Sequence, residues 1–321
     1  MDLDEILASG ALGTDFPLPT TGPFTYAEAL QSGLSRHQLS VLHQEGLLRR
    51  PIKGVYLPSA LGDSLSLRAA CLSLVVPEDC VVVDRHAGWM LGAQMVLAPN
   101  EHLDLRPLSL YRPAGHGRLR NSIAASGERD LSDEDVIEIE GLRVTTPLRT
   151  AWDLGRVRWT DEAISGLDAM LRLGGFTREE FEDGFVRFRG MRWVTTLRAV
   201  GPLADGRSES PGESVLRLRC HECGLRMTPQ VEVHRGERLL GRLDLGDEPL
   251  KVGVEYDGAE WHSTPEQQAH DRRRRGEIRA DGWIVEAFDA AAVFGRDRAC
   301  EAVIREAALA ARARRGLRPA G

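Results

Sequence analysis

Three acidic residues in the last third of the chain have the types and spacing of a divalent-metal site. Asp244 stands in one short apolar segment, and Glu255 and Asp257 stand two positions apart in the next. Acids held close together raise each other's proton affinity unless a cation neutralises them. Mg²⁺ prefers carboxylate oxygens and keeps waters that bind phosphate substrates. Such an ion polarises a phosphodiester and lowers the pKa of a water nucleophile, which is nuclease chemistry.

The segments that carry these acids alternate as β-strands. We predict three strands joined by short turns into an antiparallel meander, over residues 230–234, 239–245 and 250–257. Strict alternation puts Glu255 and Asp257 on one face, and it turns Asp244 away from its apolar neighbours Leu243 and Leu245. The tight turn then places Asp244 across from the third strand, so that three acids converge.

Two runs in this region, GRLDLGDEPLKVGVEYDGAEWH and HDRRRRGEIRADGWIVEAF, resemble the Vsr-related branch of the PD-(D/E)XK endonucleases. The resemblance implies a restriction-endonuclease-like fold over residues 213–315. It also implies a catalytic set, with Mg²⁺ or Mn²⁺ held by the first three members: Asp244, Glu255, Asp257, His262 and Glu213. His262 would move protons or contact phosphate, and Glu213 would be a fourth acid on a helix, further from the ion.

The sequence departs from the class motif at one position. The motif ends in lysine, whereas the residue two after Glu255 is Asp257, and the nearest lysine, Lys251, precedes Glu255. Vsr-related proteins lack this lysine, so the resemblance still implies activity. Taken without the resemblance, the same acids are surface residues of a meander, and Asp257 with Gly258 is a simple turn.

Four successive arginines at 272–275 follow on a predicted helix. Because consecutive residues wrap around a helix, some of these arginines must face solvent and others can bind phosphates. We predict Arg272 and Arg274 as DNA contacts. The resemblance pairs Arg274 with Asp271.

Near the N-terminus, residues 24–59 have the pattern of a winged helix-turn-helix. Thr25 and Glu28 form a capping box for a first helix that Gly33 ends, and Ser35 can cap a second helix that stops at Gly46. Two short strands, 47–51 and 55–57, then form the wing around a Lys53 turn.

This arrangement exposes residues suited to base edges and phosphates on the second helix and the wing. The predicted DNA contacts are Arg36, His37, Gln38, Arg49, Arg50 and Lys53. Two alternatives remain open, because the same face is also typical of an ordinary solvated helix and of a protein-docking winged helix.

The run YAEALQSGLSRHQLSVLHQEGLLRRPIKGVYLP resembles the N-terminal winged-helix domain of AbiEi-type antitoxins. It covers only about a tenth of the chain. The resemblance implies DNA as a partner, together with a cognate toxin or another operon partner.

The full length favours a multidomain chain that mixes α+β and α/β parts. We predict a winged helix-turn-helix over 1–60, a mixed α/β middle domain over 61–203, a linker over 204–212 that is rich in Gly, Pro and Ser, and the nuclease-like domain over 213–315. The middle region suggests architecture rather than chemistry, and within it we predict a hairpin of strands 136–139 and 142–145 around Glu140 and Gly141.

Composition restricts the setting of the protein. The net charge of -7 argues against a protein that coats nucleic acid indiscriminately. Five cysteines make a disulfide framework unexpected, and the Cys220/Cys223 pair has no second pair of zinc ligands, so we predict that it closes a helix. No apolar run approaches the length of a membrane span, and we therefore expect no membrane partner and a cytoplasmic location.

Two functions follow from these patterns. The first is a metal-dependent DNA endonuclease in phage defence or DNA repair, with the winged helix as its DNA-binding or regulatory module. The alternative is a non-catalytic, AbiEi-like antitoxin or transcriptional regulator, in which the nuclease-like fold only binds. The three-acid cluster distinguishes them, because only the nuclease needs it to hold a cation.

Overall fold

The structure is a computed structural model that describes residues 3–94, 106–258 and 265–316. Contacts divide the chain into two compact units, Met1–Gly92 with His102–Thr150 and Ala93–Glu101 with Ala151–Gly321. The sequence prediction treated 61–203 as one domain, whereas this division falls inside that stretch, at Thr150. None of the described helices is long and apolar enough to cross a membrane.

The first unit begins with a winged helix-turn-helix, as predicted. Its elements are α1 (Leu3–Ser9), β1 (Phe24–Thr25), α2 (Tyr26–Gln31), α3 (Arg36–Gln44), β2 (Leu48–Ile52) and β3 (Val55–Pro58). The strand order is β1-β3-β2. The predicted capping box is present, since Thr25 Oγ1 accepts from Glu28 N at 3.1 Å and the Glu28 carboxylate accepts from Thr25 N at 2.7 Å. Leu39 and Leu42 are buried, which leaves the opposite face of α3 to solvent.

The rest of the first unit is a five-stranded mixed sheet in the order β6-β5-β4-β8-β7. Its elements are α4 (Leu65–Ser73), β4 (Val81–Val82), α5 (Asp84–Leu91), β5 (Leu108–Pro113), β6 (Ala124–Arg129), β7 (Val136–Ile139) and β8 (Leu142–Thr145). The predicted β7–β8 hairpin is confirmed, with Ile139 opposite Leu142. Arg149, near the end of this unit, is buried against Asp135 at 2.8 Å.

Helices open the second unit. They are α6 (Pro147–Gly155), whose last turns belong to this unit, then α7 (Thr160–Arg172), α8 (Arg178–Asp183) and α9 (Val194–Val200), with 3-10 helices at Gly184–Phe188 and Gly201–Leu203. The segment 204–212, predicted as a linker, packs onto α7. Ser208 is fully buried, and Asp205 N donates to Asp168 Oδ1 at 2.7 Å. The polar residues that suggested a linker therefore satisfy a buried carboxylate.

A four-stranded mixed sheet follows in the order β12-β11-β10-β9. Its elements are α10 (Pro211–Glu222), β9 (Thr228–Arg235), β10 (Arg238–Asp247), β11 (Val252–Asp257), α11 (Pro265–Ala280), β12 (Ile284–Asp289), α12 (Ala290–Phe294) and α13 (Cys300–Arg314). The predicted meander is confirmed, because β10 is antiparallel to both β9 and β11. β12 then joins β11 in parallel through α11.

The strict alternation predicted for the acids does not hold in this sheet. Leu243 packs in one cluster with Ile278 of α11, and a Cβ on Gly253 would lie 2.6 Å from Leu243 Cδ1. Leu243 therefore shares a face with Gly253 and, two residues on, with Glu255, whereas alternation predicted opposite faces. The break lies in β10, because Val231 pairs with Leu243 and also lies 3.0 Å from where a Cβ on Gly246 would stand, so two residues three apart share a face. Opposite this break, Gln230 of β9 has a left-handed φ of 58°.

A close approach fixes α10 against β11. A Cβ on Gly212 would lie 2.2 Å from Cε1 of the Tyr256 ring, so a larger residue at this position would push the helix away from the strand. Gly212 immediately precedes Glu213. This contact therefore sets the distance of the Glu213 carboxylate from the sheet.

The cysteines behave as the sequence predicts. Cys223 caps the C-terminus of α10, and Gly224 follows with a φ of 81°, which ends the helix. All five cysteines are free thiols. Burial raises the pKa of the Cys220 thiol well above its ordinary value.

Candidate functional site: a buried acid cluster and a winged helix

Helix α3 displays part of the predicted DNA-contact set. Arg36, His37 and Gln44 are exposed on the face opposite the buried leucines. Gln38 has a different role from the one predicted, because its Oε1 accepts from Ser35 N at 2.8 Å and caps its own helix. A side chain engaged in this way is a poor reader of base edges.

The wing arginines are used partly within the fold. Arg49 Nη2 donates to the carbonyl of Leu61 at 2.7 Å, and the Arg50 guanidinium lies 5.2 Å from the centre of the Tyr56 ring. Lys53 sits in the turn between β2 and β3 and is partly exposed. Of the three side chains predicted to contact DNA from the wing, Arg49 and Arg50 make contacts within the fold. Lys53 makes no such contact among the described residues.

The acid Glu213 stands in the first turn of α10 because the local sequence builds a helix start there. Ser210 caps the helix by accepting from Glu213 N at 3.1 Å, and Pro211 occupies the first turn. Glu213 Oε2 accepts from Glu209 N and from Gln230 Nε2, both at 2.8 Å. Burial raises the pKa of this carboxyl above its ordinary value.

Asp244 lies on β10 next to the backbone of β11. Its Oδ2 accepts from Tyr256 N at 2.8 Å, which ties the carboxyl to the strand that carries Glu255. The pKa of Asp244 is raised from 3.8 to about 7, mainly by burial and also by the charges of Glu213 and Glu255, against the lowering effects of the Tyr256 amide and Arg274. Glu213 and Glu255 are therefore both near enough for their charges to act on Asp244.

Two arginines of α11 bind Glu255. Arg274 spans its carboxylate with contacts of 2.7 and 3.0 Å, and Arg275 Nε donates to Oε2 at 2.5 Å. Arg275 also donates to Asp257 Oδ1 at 2.7 Å. The Asp257 side chain is 54% exposed, whereas that of Glu255 is 4% exposed. The predicted DNA contact Arg274 is thus engaged by an acid of the cluster.

Gln230 belongs to the same cluster, although the sequence reasoning missed it. Its Nε2 donates to Glu213, while its Oε1 is buried and has no hydrogen-bond partner in the described part of the chain. The left-handed backbone at this non-glycine residue is strained. The sequence signal for it is the proline that directly precedes it in the strand, Pro229.

The donor set fits a hard divalent cation in its chemistry. The carboxyls of Glu213, which is buried, and Asp244, which is partly buried, both have raised pKa values, and Gln230, bonded to Glu213, has an amide oxygen without a partner among the described residues. A cation would favour the charged acids and satisfy that oxygen. Over residues 3–94, 106–258 and 265–316, no group of three or more His, Cys, Asp or Glu side chains is arranged to hold a metal. Glu255 and Asp257 instead face arginines.

Three predicted site residues remain, namely His262, Arg272 and Arg274. His262 lies outside the described residues. Arg272 is exposed on α11, which suits the predicted phosphate contact, and Arg274 makes the predicted pair with Asp271 at 3.7 Å.

Comparisons with known proteins give two kinds of match, one that spans most of the chain and one that is limited to the winged helix. Over 253 residues, 78% of this chain, the sequence is 28% identical to an uncharacterized protein of Mycobacterium tuberculosis, named MT2308 in strain CDC 1551 / Oshkosh and Rv2248 in strain ATCC 25618 / H37Rv. The alignment spans 89% of each relative. Residues 20–59, which form the helix-turn-helix and its wing, match the family described as transcriptional regulator, AbiEi antitoxin.

Proposed function

We propose that this chain is a metal-dependent DNA endonuclease whose N-terminal winged helix binds DNA. One observation carries the proposal. Glu213 accepts from Gln230 Nε2 at 2.8 Å, its charge acts on the partly buried carboxyl of Asp244, and Gln230 Oε1 has no hydrogen-bond partner among the described residues. Such a group of oxygens is suited to Mg²⁺ or Mn²⁺.

The roles of the residues follow from their contacts. Glu213, Asp244 and Gln230 Oε1 would hold the metal, which supplies a Lewis acid for the phosphodiester and an activated water. Gln230 Nε2 orients the Glu213 carboxylate, and the Tyr256 amide orients that of Asp244. Asp244 must be ionised to bind a cation, so its raised pKa makes metal binding strengthen as pH rises through about 7.

The winged helix supplies attraction to DNA. Arg36 and His37 are exposed at the start of α3, and Lys53 is partly exposed on the wing, so all three are available to phosphates or base edges. The match of residues 20–59 to the AbiEi antitoxin family supports DNA as the partner. Because the whole chain carries a charge of -7, DNA binding should depend on this basic surface and weaken with salt.

A second candidate function is a non-catalytic antitoxin or transcriptional regulator with a cognate toxin. Two observations favour it. Residues 20–59 match a family of transcriptional regulators, and the carboxylate of Glu255 is already neutralised by two arginines, which leaves one acid fewer for a cation. In this case the acid cluster would serve stability or partner binding, and metal would be irrelevant to DNA binding.

Plasmid cleavage by the full chain separates the two functions. Supercoiled DNA is incubated with Mg²⁺ or Mn²⁺ and the wild-type protein, the Asp244→Asn variant, or the Glu232→Gln variant. Glu232 is a matched control because its side chain is 60% exposed on the same sheet. We expect nicking by the wild type and by Glu232→Gln, with a loss of at least about 100-fold in Asp244→Asn, since metal-assisted chemistry is removed.

Gel-shift binding in EDTA to the DNA upstream of its own gene completes the experiment. Equal nicking by the wild type and Asp244→Asn, or none by either, rules out the endonuclease. Tight metal-independent binding by all three proteins without cleavage establishes the regulator.

A further inference from the structure

Four side chains next to the proposed metal site form an ion-pair cluster, which we call the arginine latch: Glu255 and Asp257 of β11 with Arg274 and Arg275 of α11. Arg274 binds both oxygens of Glu255, and Arg275 bridges Glu255 to Asp257. Arg274 also donates to the carbonyl of Arg242 at 2.7 Å, which fastens α11 to β10.

The latch is required by the burial of Glu255. An ionised carboxylate with 4% exposure is strongly destabilised unless positive partners surround it, and the two guanidinium groups meet that need. The same contacts occupy both oxygens of Glu255. While they last, Glu255 is not free to act as a ligand to a cation beside Asp244.

We propose that the arginine latch withholds Glu255 from the metal, and that phosphate groups of DNA open it by taking over Arg274 and Arg275. This inference rests on the proposed function, because it concerns regulation of the same site. The latch explains why Glu255, which the sequence resemblance assigns to the metal, is bound by two arginines.

Geometry and chemistry both suit phosphate as the competing anion. The side chains of Arg274 and Arg275 are 22% and 18% exposed, so an anion can reach them from solvent. Guanidinium groups bind phosphate in the same forked manner as carboxylate. The exposed neighbours Arg272 and Arg273 add positive charge on the same helix and would draw a DNA backbone towards the latch.

Calorimetric titration of Mn²⁺ into the full chain tests the latch without relying on cleavage. The wild type, Arg275→Gln, Arg275→Lys and the control Arg305→Gln are titrated at pH 8 with and without a short DNA duplex, after subtraction of Mn²⁺ bound by the duplex alone. Without duplex, we expect Arg275→Gln to bind Mn²⁺ about tenfold more tightly than the wild type, because one charge that competes for Glu255 is gone. Arg305→Gln should match the wild type, because Arg305 is 55% exposed in an ion pair on α13.

The duplex should tighten Mn²⁺ binding by the wild type about tenfold and change Arg275→Gln little. Equal Mn²⁺ affinity of Arg275→Gln and Arg305→Gln overturns the latch, as does a wild type whose affinity the duplex leaves unchanged. If Arg275→Gln fails to fold, Arg275→Lys tests the latch, since lysine keeps the charge but not the forked guanidinium. We expect Arg275→Lys to bind Mn²⁺ about threefold more tightly than the wild type. An affinity equal to that of the wild type overturns the latch. Absence of Mn²⁺ binding in every protein and condition overturns the proposed function instead.

Discussion

The winged helix and the C-terminal sheet use their polar side chains in opposite ways. On α3, Arg36 and His37 extend into solvent from a helix whose other face is apolar. At the C-terminal sheet, Glu255 is buried and accepts hydrogen bonds from Arg274 and Arg275 of α11. The first surface is ready to meet a ligand, whereas the second must exchange internal ion pairs before Glu255 can meet one.

This difference separates a preformed surface from one that is held by internal ion pairs. A preformed basic surface binds phosphates through simple attraction, with little reorganisation. Under the proposed function, the acid cluster becomes reactive only when a cation and a substrate replace its internal contacts. We therefore expect substitutions in the second unit to change the stability and its pH dependence strongly. Substitutions in the winged helix should change DNA binding modestly and in a salt-dependent way.

The largest effect is expected from a buried ion pair of the second unit. Asp168, 1% exposed, pairs with Arg217 of α10, and its replacement by Ala leaves a buried guanidinium without its partner. We expect Asp168→Ala to lower the free energy of unfolding by about 3–5 kcal/mol in urea denaturation. Glu182→Ala is the control, because its pair with Arg178 is exposed and should contribute less than about 1 kcal/mol. Equal losses would contradict the contrast.

The next effect is the pH dependence of Asp244. Because its folded-state pKa is about 7 and its ordinary value is 3.8, the folded state binds the proton more tightly, and the free energy of unfolding should fall as pH rises from about 4 to about 7. The fall should be on the order of 2–4 kcal/mol in EDTA. Urea denaturation at pH 5 and pH 8 checks it. Asp244→Asn should lose this pH dependence and exceed the wild type in stability at pH 8; a wild type that gains stability over this range would refute it.

On the winged helix, Arg36→Ala should weaken DNA binding about tenfold at low salt, because one exposed phosphate or base contact is lost. The slope of log affinity against log salt should fall by about one if that contact is to phosphate. Fluorescence anisotropy with a labelled duplex measures both quantities. Arg305→Ala, in an exposed ion pair on α13, is the control, and an equal loss there would remove the special role of α3.

The smallest effect is expected at the cap of α2. Thr25→Ala removes the hydroxyl that accepts from Glu28 N and should lower the stability of the winged helix by about 1 kcal/mol. Thr25→Ser keeps the hydroxyl and should remain close to the wild type in a thermal melt. A loss as large in Ser as in Ala would show that the methyl group, and not the cap, matters.

Local chemistry made the winged helix predictable. The capping box at Thr25, the cap at Ser35 and the helix end at Gly46 act within a few residues, and the structure has them where the sequence indicates. The meander and the β7–β8 hairpin were also predictable, since turn residues separate alternating strands. The capping role of Gln38 was not predicted, because a capping side chain and a base-contacting side chain are the same residue type at the same position.

The candidate site depended on contacts that the sequence does not encode locally. The alternation breaks in β10 between Leu243 and Gly246, opposite the left-handed backbone of Gln230, so strict alternation gave the wrong side for Leu243 relative to Glu255. The partners of Glu255 come from a helix about 20 residues further along the chain. The residues 204–212 resembled a linker in composition, and only the buried Asp168 shows why they pack.

The proposed function depends on a divalent cation that is held by Glu213, Asp244 and Gln230. Calorimetric titration of Mn²⁺ into the full chain at pH 8 measures this binding, with Asp244→Asn as the variant and Glu232→Gln as the control. We expect one ion bound per chain by the wild type and by Glu232→Gln, with affinity at least about 100-fold weaker in Asp244→Asn. Indistinguishable titrations of the wild type and Asp244→Asn would contradict it.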